Sequence, residues 1–360
     1  MTAVAETQTQ PFADQLFERY IAAMEVLEVY IGDRLGLYDA LAERGPLDSR
    51  ALAAATGTNE RYAREWLEAQ AAGGILEVEN ADADPLERRF SISAEHAEVL
   101  VERDSLDYMA PIARLIASTT QALPQILDAF RTGAGVPWTA YGSDGREAQS
   151  DQNRALFLSQ LGREWLPSIG DLHARLTDGG RVADVACGGG WSSIAIARAY
   201  PNVRVDGYDL DEASVDLARS NAAEYGVSDR VHFHVADASD PQLAGSYDLV
   251  TIFEALHDVS RPVELLETVR RLAGDDGTVL VMDERVSDSF SAPADDVERL
   301  MYGFSVLCCL PTGMDHDHPV GTGTVMRADT VREYAGAAGF GDVEVLGIEN
   351  DFFRVYRLYP

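Results

Sequence analysis

Between residues 15 and 41 the apolar positions Leu16, Tyr20, Met24, Leu27, Ile31, Leu35 and Tyr38 recur at intervals of three and four, the spacing of one helix face. Gly32 and Gly36 interrupt the run, which therefore predicts two helices or one that bends; residues 1–14 carry no period and are expected to be disordered. A short helix is expected over 47–57, with Asp48 or Ser49 as its cap, and a second over 60–72, capped by Asn59. Residues 75–79 and 89–93 then alternate as two strands around a polar tip. Helix, turn, helix and a two-stranded wing make a winged helix. Further helical patterns cover 104–131, 150–161 and 166–176, with a loop over 133–145.

From Gly180 the rhythm changes. Strands are expected over 181–186, 203–209, 230–235, 247–253 and 277–283, and helices over 191–200, 212–225, 262–272 and 328–338. Such alternation builds a parallel sheet with right-handed crossovers. The last two strands, 343–348 and 352–358, are separated by only Glu349, Asn350 and Asp351. That is too short for a parallel crossover and predicts an antiparallel hairpin. The expected fold class is α/β, a Rossmann-like doubly wound sheet with a C-terminal antiparallel hairpin, plus an N-terminal mainly α winged-helix domain. The expected domains are 1–100 (winged helix, dimerisation), 101–170 (helical linker or cap) and 171–360 (cofactor binding and catalysis).

Composition narrows the partners. The formal net charge is −31 and the chain contains no lysine, so every fixed cation is an arginine. Such a surface repels phosphate backbones and anionic headgroups. The second winged-helix segment also mixes Arg61 and Arg64 with Glu60, Glu65 and Glu68, where a DNA reader needs a net basic face. No nucleic acid and no membrane are expected as partners, and the N-terminus lacks the basic start and apolar stretch of a signal peptide. A soluble, cytoplasmic homodimer is the expectation, its contact made by the apolar N-terminal helices. Cys187, Cys308 and Cys309 have no zinc-like spacing and are expected to be reduced. The acidity suits a high-salt cytoplasm, but a GC-rich genome would also exchange lysine for arginine.

The chemistry begins at the first strand's exit, Asp184-Val185-Ala186-Cys187-Gly188-Gly189-Gly190. Glycines let the backbone pass close to a ligand there, and the helix that follows offers free N–H groups to an anion. Asp209 ends the second strand, where an acid can accept two ribose hydroxyls, and Asp237 follows the third, placed to accept an adenine amino group. Gly188-Gly189-Gly190-Trp191-Ser192-Ser193 lacks the third glycine of the dinucleotide fingerprint, which argues against a dehydrogenase.

The turn, the two strand-end acids and the terminal hairpin together resemble class I S-adenosylmethionine-dependent methyltransferases over roughly residues 170–360. The N-terminal half is similar to the dimerisation domain of small-molecule O-methyltransferases of plants and actinomycetes. The family's motif is acid-x-Gly-x-Gly-x-Gly, and Ala186 here replaces its first glycine. The resemblance implies S-adenosylmethionine as cofactor, held by Asp184, Ala186, Gly188, Gly190, Asp209, Leu210, Asp237, Ala238 and Phe253.

The segment Phe253-Glu254-Ala255-Leu256-His257-Asp258 looks like the family's His-Asp motif, whose histidine is a general base, although the aromatic residue that usually follows is Val259. His257 is thus the candidate base, with Asp258 or Glu284 as its orienting partner. A histidine in this segment can also serve only packing. Acceptor-lining candidates are Trp138 and Tyr141 in the 133–145 loop, and Met301, Tyr302 and Ser305, which share helical spacing with Cys309 over 297–310. No metal is expected: His316-Asp317-His318 offers too few ligands of fixed geometry. His232 and His234 share a strand face and are expected only to pack. The implied function is methyl transfer to a small molecule, at a hydroxyl oxygen. N- or C-methylation by proximity and a winged-helix regulator that senses the cofactor are the alternatives.

Overall fold

The computed structural model describes residues 9–243 and 245–360. The chain divides into two compact units, one ending at Ala117 and the other running from Ser118 to Pro360. The disorder expected for residues 1–8 lies outside the described residues, whereas 9–14 belong to a helix, Thr9–Arg34. That correction follows from an apolar face that starts earlier than expected, at Phe12. A second helix, Leu37–Arg44, begins after the break at Leu35-Gly36. Gly32 does not break the first helix. It lets two rings close against it, because a Cβ there would stand 2.4 Å from Tyr38 and 2.5 Å from Trp66.

Asp48 caps helix Ser49–Thr56 by accepting from Ala51 N at 2.8 Å. Asn59 caps helix Glu60–Ala72 through Arg61 N at 3.0 Å. The wing is shorter than its alternation suggested. β1 (Glu77–Val78) pairs with β2 (Phe90–Ser91), and beyond them Asn80 ties the tip by donating to Glu87 O and accepting from Arg89 N, both at 2.9 Å. Tyr38, Leu41, Leu52, Leu67 and Phe90 form the core of this unit. Four of its arginines are matched by acids: Arg61 with Glu65, Arg64 with Glu60 (3.3 Å), Arg88 with Glu68 (2.7 Å) and Arg89 with Glu79 (3.7 Å). Phe12, Phe17, Tyr20 and Met24 remain exposed along the first helix. Among the described residues no helix is long and apolar enough to cross a membrane.

In the second unit seven strands, among the described residues, form one sheet: β3 (Gly180–Val185), β4 (Val203–Asp209), β5 (Val231–Val235), β6 (Leu249–Phe253), β7 (Thr278–Glu284), β8 (Asp342–Val345) and β9 (Phe353–Tyr359). Their order is β5-β4-β3-β6-β7-β9-β8. The first five run parallel, and β9 is antiparallel to both β7 and β8. The hairpin is as expected, although its connection is longer than three residues because β8 ends at Val345. Strand order reverses between β3 and β6, the switch point at which open α/β sheets bind ligands. Both faces are apolar: Val182, Ile194, Leu249 and Leu280 pack on one, Val185, Val250, Leu266, Val331 and Tyr356 on the other. Each such aliphatic side chain contributes about 1.5–3 kcal/mol.

Three segments depart from expectation. The 133–145 loop is largely helical: Trp138–Tyr141 forms a tight turn and helix Gly142–Leu156 follows, passing into wide π-helical turns over Phe157–Trp165. The insertion between β7 and the last helix, Ala328–Ala337, runs as helix Asp296–Phe304, a π-helical stretch Ser305–Cys309 and a last turn Leu310–Gly313. His232 and His234 are exposed rather than packed in, with His234 stacked on Tyr208 and 3.3 Å from Asp206.

Candidate active site

The carboxyl ends of β3 to β7 line one rim of the sheet, and most of the candidate residues stand there. Asp184 is the exception in kind. It is 1% exposed, and its carboxylate accepts from Ser192 (2.5 Å), Ser193 (2.6 Å) and Thr251 (2.7 Å). It ties β3 to the following helix, Trp191–Ala199, and to β6. Ala186 takes up a φ of 54°, so the glycine conformation persists without the glycine, at a cost of about 1–2 kcal/mol. Gly190 has a φ of 78°, and a Cβ there would stand 2.5 Å from Phe233. Gly188 borders open space: a Cβ would meet nothing within 4 Å.

Asp209 binds this turn to β4. Its Oδ2 accepts from Gly188 N at 2.8 Å and Oδ1 from Asp211 N at 2.9 Å. Each oxygen keeps a lone pair for a further donor. Beside it Leu210 is 69% exposed, and Val235, ending β5, is 49% exposed. Asp237 accepts from Ser239 N at 2.7 Å and has Arg261 4.0 Å from its other oxygen. Ala238 is buried in the sheet's core, and the Phe253 ring stacks on Phe157 at 5.6 Å. An open turn, a strand-end acid with spare lone pairs and two exposed apolar side chains fit an adenosine; the first turn of helix Trp191–Ala199 fits a carboxylate.

At the ends of β6 and β7 the character changes. His257 is 3% exposed, its Nδ1 lying 2.8 Å from Asp283 Oδ1 and 3.0 Å from Glu284 Oε2. With its proton on Nδ1 the ring donates to Asp283, and Glu284 stands beside the same N–H. Burial by itself would lower the imidazole pKa, but Glu284 and Asp283 outweigh it and hold it well above the ordinary value. Burial raises Glu284 far above the carboxylate range, with Asp283 adding to the effect. Burial would raise Asp283 as well, yet the histidine keeps it low. The Cys309 thiol is a hydrogen-bond neighbour of the imidazole. It is held well below its ordinary pKa, first by Cys308 and, against the opposing effect of burial, by His257.

Of the two partners expected for His257, Glu284 reaches the ring's Nδ1, while Asp258 is absent from it. Burial instead pushes Asp258 up to about 7. Asp283 and Glu254 are additions that the sequence reading missed. Two consecutive acids closing a strand, Asp283-Glu284, were the available signal. Trp138 and Tyr141 lie 5.6 Å apart, and Tyr141, fully buried, donates to Leu307 O at 2.9 Å, so this turn packs on the insertion. Met301 and Ser305 are buried, and Tyr302 accepts from Arg327 at 3.5 Å. His316 and His318 are exposed, away from any cluster of metal-ligating atoms among the described residues. The one such cluster there is His257, Asp283 and Glu284, with donor atoms within 4.8 Å of one another.

Comparison with known proteins places these observations. A family model described as a methyltransferase domain matches residues 176–319, and one described as an Rv2258c-like winged HTH domain matches 22–102. Ubiquinone biosynthesis O-methyltransferase of Aromatoleum aromaticum is 31% identical over 204 residues, 56% of this chain and 79% of that protein. Acetylserotonin O-methyltransferase of Mus musculus molossinus is 28% identical over 278 residues, 74% of this chain and 71% of that one. The crystal structure of human N-acetylserotonin methyltransferase in complex with SAM superposes with a TM-score of 0.72 at 19% identity, covering 99% of each chain. At that identity the last shows a shared fold alone.

Proposed function

The chain belongs to the S-adenosylmethionine-dependent methyltransferases, and on that premise we propose that it methylates a hydroxyl oxygen of a small molecule, with His257 as the base. The observation that carries this reading is the buried imidazole whose Nδ1 faces Asp283 and Glu284. When bound, S-adenosylmethionine supplies an electrophilic methyl group on a positively charged sulfur. Asp209 and Asp237 are suited to its ribose and adenine, Leu210 and Val235 to the faces of the base, and the turn from Ala186 to Gly190 to its amino-acid end.

The protein then has to align the acceptor and take its proton. Asp283 fixes the imidazole tautomer with the proton on Nδ1, which leaves Nε2 to receive a proton from the acceptor. The imidazolium that forms is balanced by the Asp283 carboxylate already beside it. Cys309 and the π-helical stretch around it, with Trp138 and Tyr141 packed behind, form the wall on the acceptor side. The 2.8 Å separation of Nδ1 from Asp283 is a hydrogen-bond length, so we read the three-residue cluster as a proton site rather than a metal site.

Replacing His257 with alanine tests this. Methyl transfer from labelled cofactor to a panel of phenols and other hydroxyl compounds should fall by about 10²–10⁴-fold in kcat. Cofactor affinity, measured by calorimetry, should stay within about twofold. The wild-type rate should be indifferent to chelators, and it should climb with pH above 6.5, because the imidazole has to lose its proton to act. Undiminished transfer in the variant would leave methylation by proximity alone, at nitrogen or carbon.

We assign the winged-helix unit to self-association. Arg61, Arg64, Arg88 and Arg89 are already matched by acids, and the first helix leaves Phe12, Phe17, Tyr20 and Met24 exposed. Light scattering should give the mass of a dimer; a monomer mass would remove this assignment.

A further inference from the structure

Glu254 follows β6 directly, at a φ of 52°, and its N–H donates to Met282 O at 2.8 Å. Its carboxylate is half satisfied. Oε2 accepts from Gln149 at 2.9 Å and from Asn153, two side-chain amides presented by helix Gly142–Leu156. Oε1 is buried and has no hydrogen-bond partner among the described residues. A buried carboxylate oxygen is costly unless a donor or a cation meets it. Two amides hold the group in place, so Oε1 is not free to turn toward a partner elsewhere.

The sheet order locates that oxygen with respect to the cofactor, and the inference rests on the cofactor reading above. β5 and β4 carry Asp237 and Asp209, the residues suited to adenine and ribose. The next strands across the sheet are β3, with the glycine turn, and β6, with Glu254. The amino-acid end of a molecule laid along this rim therefore reaches β3 and β6. Helix Gly142–Leu156 touches both places. Its Ser150 Oγ accepts from Trp191 Nε1 at 2.9 Å, and a Cβ on Gly189 would stand 2.0 Å from that oxygen.

We infer that Glu254 Oε1 receives the α-ammonium group of S-adenosylmethionine. The cofactor brings two cations, but its sulfonium has no hydrogen to donate, whereas an ammonium has three. The unmet acceptor calls for a donor. Burial pushes Glu254 up to about 7, with Asp283 and Cys309 raising it and Asn153 and His257 opposing. At neutral pH the free carboxyl is therefore about half protonated, and an arriving ammonium displaces that fraction of a proton.

Calorimetry on the full chain distinguishes the possibilities, using S-adenosylmethionine, S-adenosylhomocysteine and 5′-methylthioadenosine against wild type and Glu254→Gln. The variant should weaken the first two alike, by about ten- to hundredfold, and leave the third, which has no amino-acid end, within about twofold. Wild-type binding of the first two at neutral pH should release about half a proton, read as an enthalpy that depends on the buffer, and the variant should lose that release. An equal fall for all three ligands would make Glu254 a residue that shapes the site. A fall confined to S-adenosylmethionine would assign it to the sulfonium, and no fall at all would remove it from the cofactor; each overturns the inference. Absence of binding to the wild type would instead take down the cofactor reading itself.

Discussion

On β3, Asp184 is buried with three hydroxyls from Ser192, Ser193 and Thr251 donating to its carboxylate. At the adjoining ends of β6 and β7 the donors run short: Glu254 Oε1, Asp283 Oδ2 and Glu284 Oε2 have no hydrogen-bond partner among the described residues, because the one imidazole N–H beside Glu284 goes to Asp283. Both regions bury acids at or near the carboxyl ends of neighbouring strands, so solvent exclusion alone does not separate them. The supply of donors does. Hydroxyls that the fold itself provides turn an acid into a brace. Carboxyls buried in excess of their donors weaken the fold, and they are kept where a proton or a cation arrives from outside.

The sharpest way to break that contrast is to remove the brace. Asp184→Ala leaves three buried hydroxyls without their acceptor and should destabilise the second unit by about 3 kcal/mol, read by urea denaturation. Burial does raise the Asp184 pKa, but all three hydroxyls pull it back toward the ionised form. A loss under about 1 kcal/mol would place Asp184 with the under-donated acids and undo the distinction.

How far the sequence reveals each region follows the same line. Helix Glu60–Ala72 was readable to the residue because Asn59 caps it and Gly73 follows it, both local signals. The sheet was readable because the final strands alternate and their connection is short. Asp209 was readable because a strand end sets its position. The acid excess was not readable. Strand alternation puts Asp283 and Glu284 on opposite faces, yet both reach His257 Nδ1, because Glu284 closes β7 where the backbone leaves the sheet. Glu254 depends on two amides about a hundred residues earlier; Asn153 falls in the helix expected over 150–161 and Gln149 just before it, and no local pattern aims either at the end of β6. Cys309 shared an α-helical stripe with Met301 and Ser305 on paper. The π-helical turns over Ser305–Cys309 shift that spacing and bring the thiol to the imidazole.

A smaller effect would sharpen the comparison from the other side. Glu254 and Asp258 are both pushed up to about 7, chiefly by burial, from ordinary values of 4.5 and 3.8. In the cofactor-free protein they hold protons that the unfolded chain has already released above those ordinary values. Their penalty on the folded state is absent in acid and grows until the folded pKa is passed. His257 acts in the same direction: raised well above 6.5, it contributes stability that is complete below 6.5 and lost as pH rises through its folded value. The folded state therefore binds more protons than the unfolded state across this window, and stability falls with rising pH. The melting temperature of the second unit, followed by calorimetry without cofactor, should drop by about 5 °C between roughly pH 5.5 and 8. Glu254→Gln should make the slope shallower, since one of the titrating groups is gone. A melting temperature that instead climbs through this range would mean that the carboxyls at β6 and β7 are ionised and paired in the folded state, as braced in their way as Asp184 is in its own.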